Sequence, residues 1–276
     1  MERTFNTAEP ISLHVEIHSG DLHVDAREDI GETRISVDGR RAEEATVEQR
    51  GNQIVVFAPP ARSGFFSTGG GSELTVTASV PRDTELSTKL GSADLVAAGR
   101  LGSARLRSGS GDLRVDELGS DAVLETGSGD ISVEAACADV RIKSGSGDVD
   151  IRRLVAGGSI STGSGDVVLG TSGSPALVKS GSGSVRVEEA HSDLTLSTAS
   201  GDVSVHQIRR GALRVKAVSG DVSVGVPSGI PVWTDISCVS GRVSSDLDGA
   251  GEPGEGQDFV EIRATTVSGD IALEQR

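Results

Sequence analysis

Aliphatic residues recur along this chain in files set eighteen positions apart. The residue that follows a Ser-Gly pair, or its equivalent, marks the register. It stands at Asp94, Asp112, Asp130, Asp148, Asp166, Ser184 and Asp202, six steps of 18 residues. The series goes on to Asp221, Arg242 and Asp270 with steps of 19, 21 and 28. One position past each mark stands an aliphatic residue, as in Leu113, Ile131, Val149, Val167, Val185 and Val203. Two further on stand Val115, Val133, Ile151, Leu169, Val187 and Val205. Twelve past the mark come Leu106, Leu124, Ile142, Ile160, Val178 and Leu196. The positions between are mostly polar. That alternation is the mark of a half-buried strand, so each unit reads as strand, Ser-Gly-Ser-Gly corner, strand, looser corner.

Because one column repeats in every unit, parallel in-register stacking puts like on like. Coils then lie about 4.8 Å apart and aliphatic ladders fill the interior. The pattern predicts an all-β parallel β-solenoid with coils of 18 residues, no one of which can bury its inner face alone. Corner glycines Gly111, Gly129, Gly147, Gly165, Gly183 and Gly201 need either a positive φ or a site too crowded for Cβ. The column Ser108, Thr126, Ser144, Thr162, Ser180 and Thr198 should face inward, its hydroxyls bonding corner amides or neighbouring coils.

The ends depart from the repeat. Residues 1–85 read as a β-rich cap, with strand-like runs at 11–17, 33–37, 53–57 and 73–80. Residues 86–248 are the repeats. Residues 249–276 are an acidic loop followed by closing strands, all in one continuous domain. A capped edge is what a solenoid requires to avoid pairing with other chains.

Composition agrees with a narrow interior: of 276 residues, five are Phe, one is Trp and none is Tyr. The 37 glycines fall at regular intervals, which speaks for turns rather than disorder. A net charge of −15 disfavours nucleic acid and an anionic membrane surface. No apolar leader or membrane-spanning run is present, so a cytoplasmic address is expected, with Cys137 and Cys238 as free thiols.

Stacking would file Asp94, Asp112, Asp130, Asp148 and Asp166 on one edge. Their mutual repulsion, roughly 1 kcal/mol per neighbouring pair in water, could be relieved by Ca²⁺. One carboxylate per coil supplies few of the six to eight oxygens that ion takes, so the preferred reading has each aspartate capping turn amides. No cofactor is expected. His14, His18 and His23 lack zinc spacing and read as solvent-facing. Phe65 and Phe66, in a Gly/Ser-rich stretch, are the candidate interaction residues; Trp233 reads as a lid over the last coils. Arg107, Lys143 and Lys179, with Glu125 between the first two, read as cross-coil charge pairing on a solvated face.

Several segments together resemble a known bacterial family of candidate adhesins with β-strand repeats and unassigned function, related to toast-rack domains. They are Phe5-x-Thr7-x-x-Pro10-Ile11, the serial Gly-Ser-Gly-Asp units, Val232-Trp233-x-Asp235-Ile236, Asp246-Leu247-Asp248 and Ser268-Gly269-Asp270-Ile271. The resemblance covers essentially the whole chain. It implies a right-handed β-helix-like fold, no known enzyme activity, and a sensing or adhesion role of the kind found in envelope-stress and surface proteins. The residues themselves point to a non-enzymatic binding or scaffold module with an unnamed protein partner, and to a monomer. The alternatives are a β-helix carbohydrate-active enzyme, against which the scarcity of aromatic platforms counts, and a self-assembling or Ca²⁺-binding solenoid.

Overall fold

The structure, a computed structural model, describes residues 1–7, 9–28, 30–59, 74–248 and 257–276. These residues form β-strands and one 3₁₀ turn, Ala42–Glu44. No helix among them is long and apolar enough to cross a membrane. The fold is the all-β stack of parallel strands that the repeat predicts, and it divides into two compact units, Met1–Ala138 and Asp139–Arg276.

The first unit opens with β1 (Glu2–Asn6), β2 (Ser12–Ile17), β3 (Gly20–Arg27), β4 (Glu32–Asp38), β5 (Thr46–Arg50) and β6 (Gln53–Phe57). It continues through β7 (Leu74–Pro81), β8 (Glu85–Leu90), β9 (Asp94–Leu101), β10 (Ala104–Ser108), β11 (Leu113–Leu118), β12 (Ala122–Thr126) and β13 (Ile131–Ala136). One sheet runs in the order β1-β4-β7-β3-β9-β11-β13 and the other β12-β10-β8-β2-β6-β5. The pairings of β11 with β13 and of β10 with β12 are parallel and set like on like: Leu113 beside Ile131, Val115 beside Val133, Leu106 beside Leu124. All six are buried, and each such side chain contributes roughly 1.5–3 kcal/mol of hydrophobic stabilisation. The coil β2–β3 comes early in the chain yet lies between β6–β7 and β8–β9. Antiparallel β1, β4 and β5 form the outer strands on that side. Their ion pairs, Arg34 with Glu2 and Glu32 and Arg50 with Glu48, keep the edge charged and unreceptive to further strands.

The second unit contains β14 (Val140–Ser144), β15 (Val149–Leu154), β16 (Gly158–Thr162), β17 (Val167–Ser172), β18 (Ala176–Ser180), β19 (Val185–Ala190) and β20 (Leu194–Ser200). It ends with β21 (Val203–Ile208), β22 (Gly211–Ser219), β23 (Val222–Val226), β24 (Val232–Ser240), β25 (Val243–Ser245), β26 (Val260–Ser268) and β27 (Ile271–Gln275). Its sheets run β15-β17-β19-β21-β23-β27-β25 and β14-β16-β18-β20-β22-β26-β24. The C-terminal strands therefore do not close the stack. β26 and β27 insert between β22–β23 and β24–β25, and β24–β25 is the outermost coil. The inward Val260, Ile262 and Ala264 of β26 are buried, whereas in the outermost β24 the partners Val232 and Ile236 are half-buried and Thr234, opposite Ile262, is exposed.

The corners carry their own logic. The Ser/Thr column is buried, as the pattern required. The hydroxyls of Ser108, Thr126, Thr162 and Ser180 accept the N–H of Gly111, Gly129, Gly165 and Gly183 at 2.8–3.0 Å. Of the two reasons for glycine, crowding governs the strict repeats. A Cβ on Gly129 would lie 2.1 Å from the carbonyl oxygen of Gly111 in the coil below, and one on Gly183 1.9 Å from that of Gly165.

Gly129→Ala is accordingly expected to lose about 1–3 kcal/mol of unfolding free energy, the cost of overpacking a site whose neighbour is backbone. Gly31→Ala, whose Cβ would meet nothing within 4 Å, should change little. Urea unfolding of both variants checks the contrast.

Candidate functional site

The aspartate file accepts amides across coils rather than within one turn. Asp94 Oδ1 accepts the N–H of Asp112 at 2.9 Å, and Asp112 Oδ1 that of Asp130 at 3.0 Å. Asp148 takes the N–H of Asp166, and Asp166 that of Ser184, at 2.8 and 2.7 Å. The file resumes with Asp202, Asp221 and Asp270, which take the amides of Asp221, Asp270 and Arg242. Arg114 holds the second oxygen of Asp112 at 2.9 Å. A carboxylate that accepts a backbone amide makes a charge-assisted bond. Among the described residues no three or more His, Cys, Asp or Glu gather as metal ligands. His14 lies 4.0 Å from Glu16. Both cysteines are free thiols.

Phe65 and Phe66 lie outside the described residues. Trp233 is not a lid. It sits at an outward position of β24, in register with Glu261, with the Arg263 guanidinium 5.3 Å from its ring centroid. Strand parity decides this: the even-numbered residues Val232, Thr234 and Ile236 face the core, so Trp233 faces solvent.

What the structure brings together is a basic face. On the outer side of the β14–β26 sheet, one column reads Lys143, Ser161, Lys179, Ser197, Lys216, Thr265 in successive strands. The lysines occupy every second rung, about 9.6 Å apart. The adjoining column reads Arg141, Ser159, Leu177, Thr195, Arg214, Arg263. Arg263 is held by Glu261 at 2.7 Å. Arg141, Lys143, Lys179, Arg214 and Lys216 are exposed and make no ion pair among the described residues.

Elsewhere several cations are paired. In the first unit Arg107 meets Glu125 at 2.9 Å and Lys89 meets Glu16 at 3.5 Å. On the other sheet of the second unit, Glu189 is held by Arg209 at 2.6 Å and His191 at 3.3 Å. The Arg209 hydrogen bond, helped by the nearby charges of His191 and Arg209, draws the Glu189 carboxyl below its ordinary value against the desolvation of burial. The charge pairing expected for Arg107 is thus present, but Lys179 has serines, Ser161 and Ser197, as its strand neighbours. The signal was a 36-residue spacing of lysines inside the 18-residue repeat, and the Arg107–Glu125 pair at its head disguised it.

Residues 11–274 match the family described as Toastrack DUF4097. None of the curated proteins matches the chain. Among solved structures, a candidate adhesin from Parabacteroides merdae aligns over 82% of this chain and 95% of its own, at 12% identity and TM-score 0.45. A candidate adhesin from Bacteroides fragilis aligns over 99% and 96%, at 13% identity and TM-score 0.35. A candidate lipid-binding protein from Parabacteroides distasonis aligns over 99% and 96%, at 12% and 0.37.

Two variants test the electrostatic assignments. Asp112→Ala removes the acceptor for the Asp130 amide and should cost about 1 kcal/mol in denaturant unfolding, water replacing part of the bond; Asp112→Asn, which keeps an oxygen there, should cost less. Arg209→Gln should raise the Glu189 titration midpoint toward the ordinary value of about 4.3, read by NMR. Since the folded-state pKa is the depressed one, the stabilisation is present above that value and fades as pH falls through the folded pKa. The stability gap between wild type and Arg209→Gln should narrow in the same acid window.

Proposed function

The chain belongs to the Toastrack DUF4097 family, and from that premise we propose that it is a non-enzymatic binding module whose working surface is the outer face of the β14–β26 sheet. One observation carries this reading: in a chain of net charge −15, five exposed cations stand on one sheet face and make no ion pair among the described residues. Like charges held near one another on a sheet oppose folding slightly. An anionic ligand seated across both columns would relieve that repulsion and gain several charge-assisted contacts at once. The serines and threonines between the cations add hydroxyls without bulk. The acids on this face, Glu261 and Asp235, both neighbour Arg263. Glycosidic cleavage asks instead for two carboxylates set on opposite sides of a bond, so the geometry favours holding a ligand over cutting one.

The test uses the charge paradox directly. At pH 7 the protein is far above its sequence pI of about 4.7 and should pass through a phosphate-bearing matrix. It is expected instead to be retained at low salt and released as salt rises. The variant K143S/K179S/K216S, with unchanged circular dichroism, should flow through. Wild type that flows through, or a variant retained as strongly as wild type, would overturn the reading.

A further inference from the structure

The same face also carries apolar groups, and these narrow the partner's chemistry. Beyond the lysine column, the outward positions of the three last strands are Val218, Val267 and Val239, 55%, 48% and 77% exposed. They follow in neighbouring strands β22, β26 and β24, bordering Lys216, Thr265 and Ser237. Trp233, 51% exposed, stands on the same side of β24. One end of a basic sheet face therefore presents three valines and the only tryptophan of the chain. Surface valines occur singly without meaning. Three in a file, together with a half-exposed indole and beside unpaired cations, form a surface that is charged and apolar at once.

Resting on the anionic-face reading above, we infer that this face seats on an anionic lipid bilayer. A bilayer surface supplies both halves of the complement: phosphate charge for Arg141, Lys143, Lys179, Arg214 and Lys216, and an acyl boundary for the valines. Tryptophan belongs at that depth, its ring body apolar and its N–H wet. Long cationic side chains can lie along the same boundary with their heads in the phosphate layer. A soluble linear polyanion would satisfy the cations but has nothing to offer the valines.

The net charge of −15 does not forbid this. At physiological salt, charges interact over about 8 Å. Packed sheets lie about 10 Å apart, so acids on the opposite sheet's outer face are screened from a membrane touching this one. Only the near face is read by the lipid, and that face is basic.

Because Trp233 is the single tryptophan and tyrosine is lacking, the intact chain reports its own docking by fluorescence. With equimolar phosphatidylglycerol–phosphatidylcholine vesicles, the protein should co-sediment and its emission should shift to the blue. With phosphatidylcholine alone neither should occur, and rising salt should reverse both. Each cation removed should weaken binding about fivefold, so K143S/K179S/K216S should bind roughly a hundredfold more weakly. V218S/V239S should keep salt-sensitive binding but lose most of the blue shift. Three outcomes overturn the inference: no vesicle binding although the phosphate matrix still retains the protein; equal binding to phosphatidylcholine alone; or soluble polyphosphate binding as tightly as the vesicles with no blue shift. Each of these leaves the anionic-face reading to stand or fall by the matrix experiment.

Discussion

Parallel ladders hold neighbouring coils about 4.8 Å apart, and at the Ser-Gly-Ser-Gly corner that rise leaves no room for a side chain on Gly129, Gly165 or Gly183. The other corner residues follow from this approach. With carbonyls packed against glycine Cα atoms, the corner amides need acceptors of their own. The inward Ser/Thr hydroxyl supplies one for the glycine three residues on. The aspartate supplies another for the equivalent residue of the next coil. Glycine lets the backbones meet, the hydroxyl closes the turn from inside, and the carboxylate ties one turn to the next from outside. The aliphatic ladders then fill what the corners have set in register.

Much of this could be read from the chain, because a solenoid converts sequence distance into spatial contact. Residues eighteen apart touch, so the columns of Leu113, Ile131 and Val149 declared their strands and their burial. Two things resisted. The widening steps before Arg242 and Asp270 looked like a repeat losing its register. They record an exchange of order, in which Asp270 lies next to Asp221 and Arg242 lies outside it. The clue was local and chemical: Thr234 sits at an inward position where the two coils inside it carry Ile262 and Leu213. The partner of each aspartate was equally hidden, since an amide in its own turn and an amide one coil away are both consistent with Gly-Asp at a corner.

The basic face was missed for a different reason. Net charge sums over a surface, while a ligand meets one side of it. In this chain a file of aspartates sits at the corners, where it accepts amides, and on the opposite sheet Glu189 pairs with Arg209. What remains on the β14–β26 face is a set of cations whose strand neighbours are mostly hydroxyls. A period of two coils is invisible when columns are inspected one coil at a time, and Arg107 with its partner Glu125 made the start of the series look balanced.

The inserted coils have a mechanical consequence. In a plain stack, tension entering through an outermost strand peels it away one hydrogen bond after another, and the failure propagates like an opening zip. β27 is flanked by β23 and β25, and β2 by β6 and β8. A pull along either strand loads two ladders in shear, and many bonds must yield together. The fold thus gives these two segments the grip of interior strands.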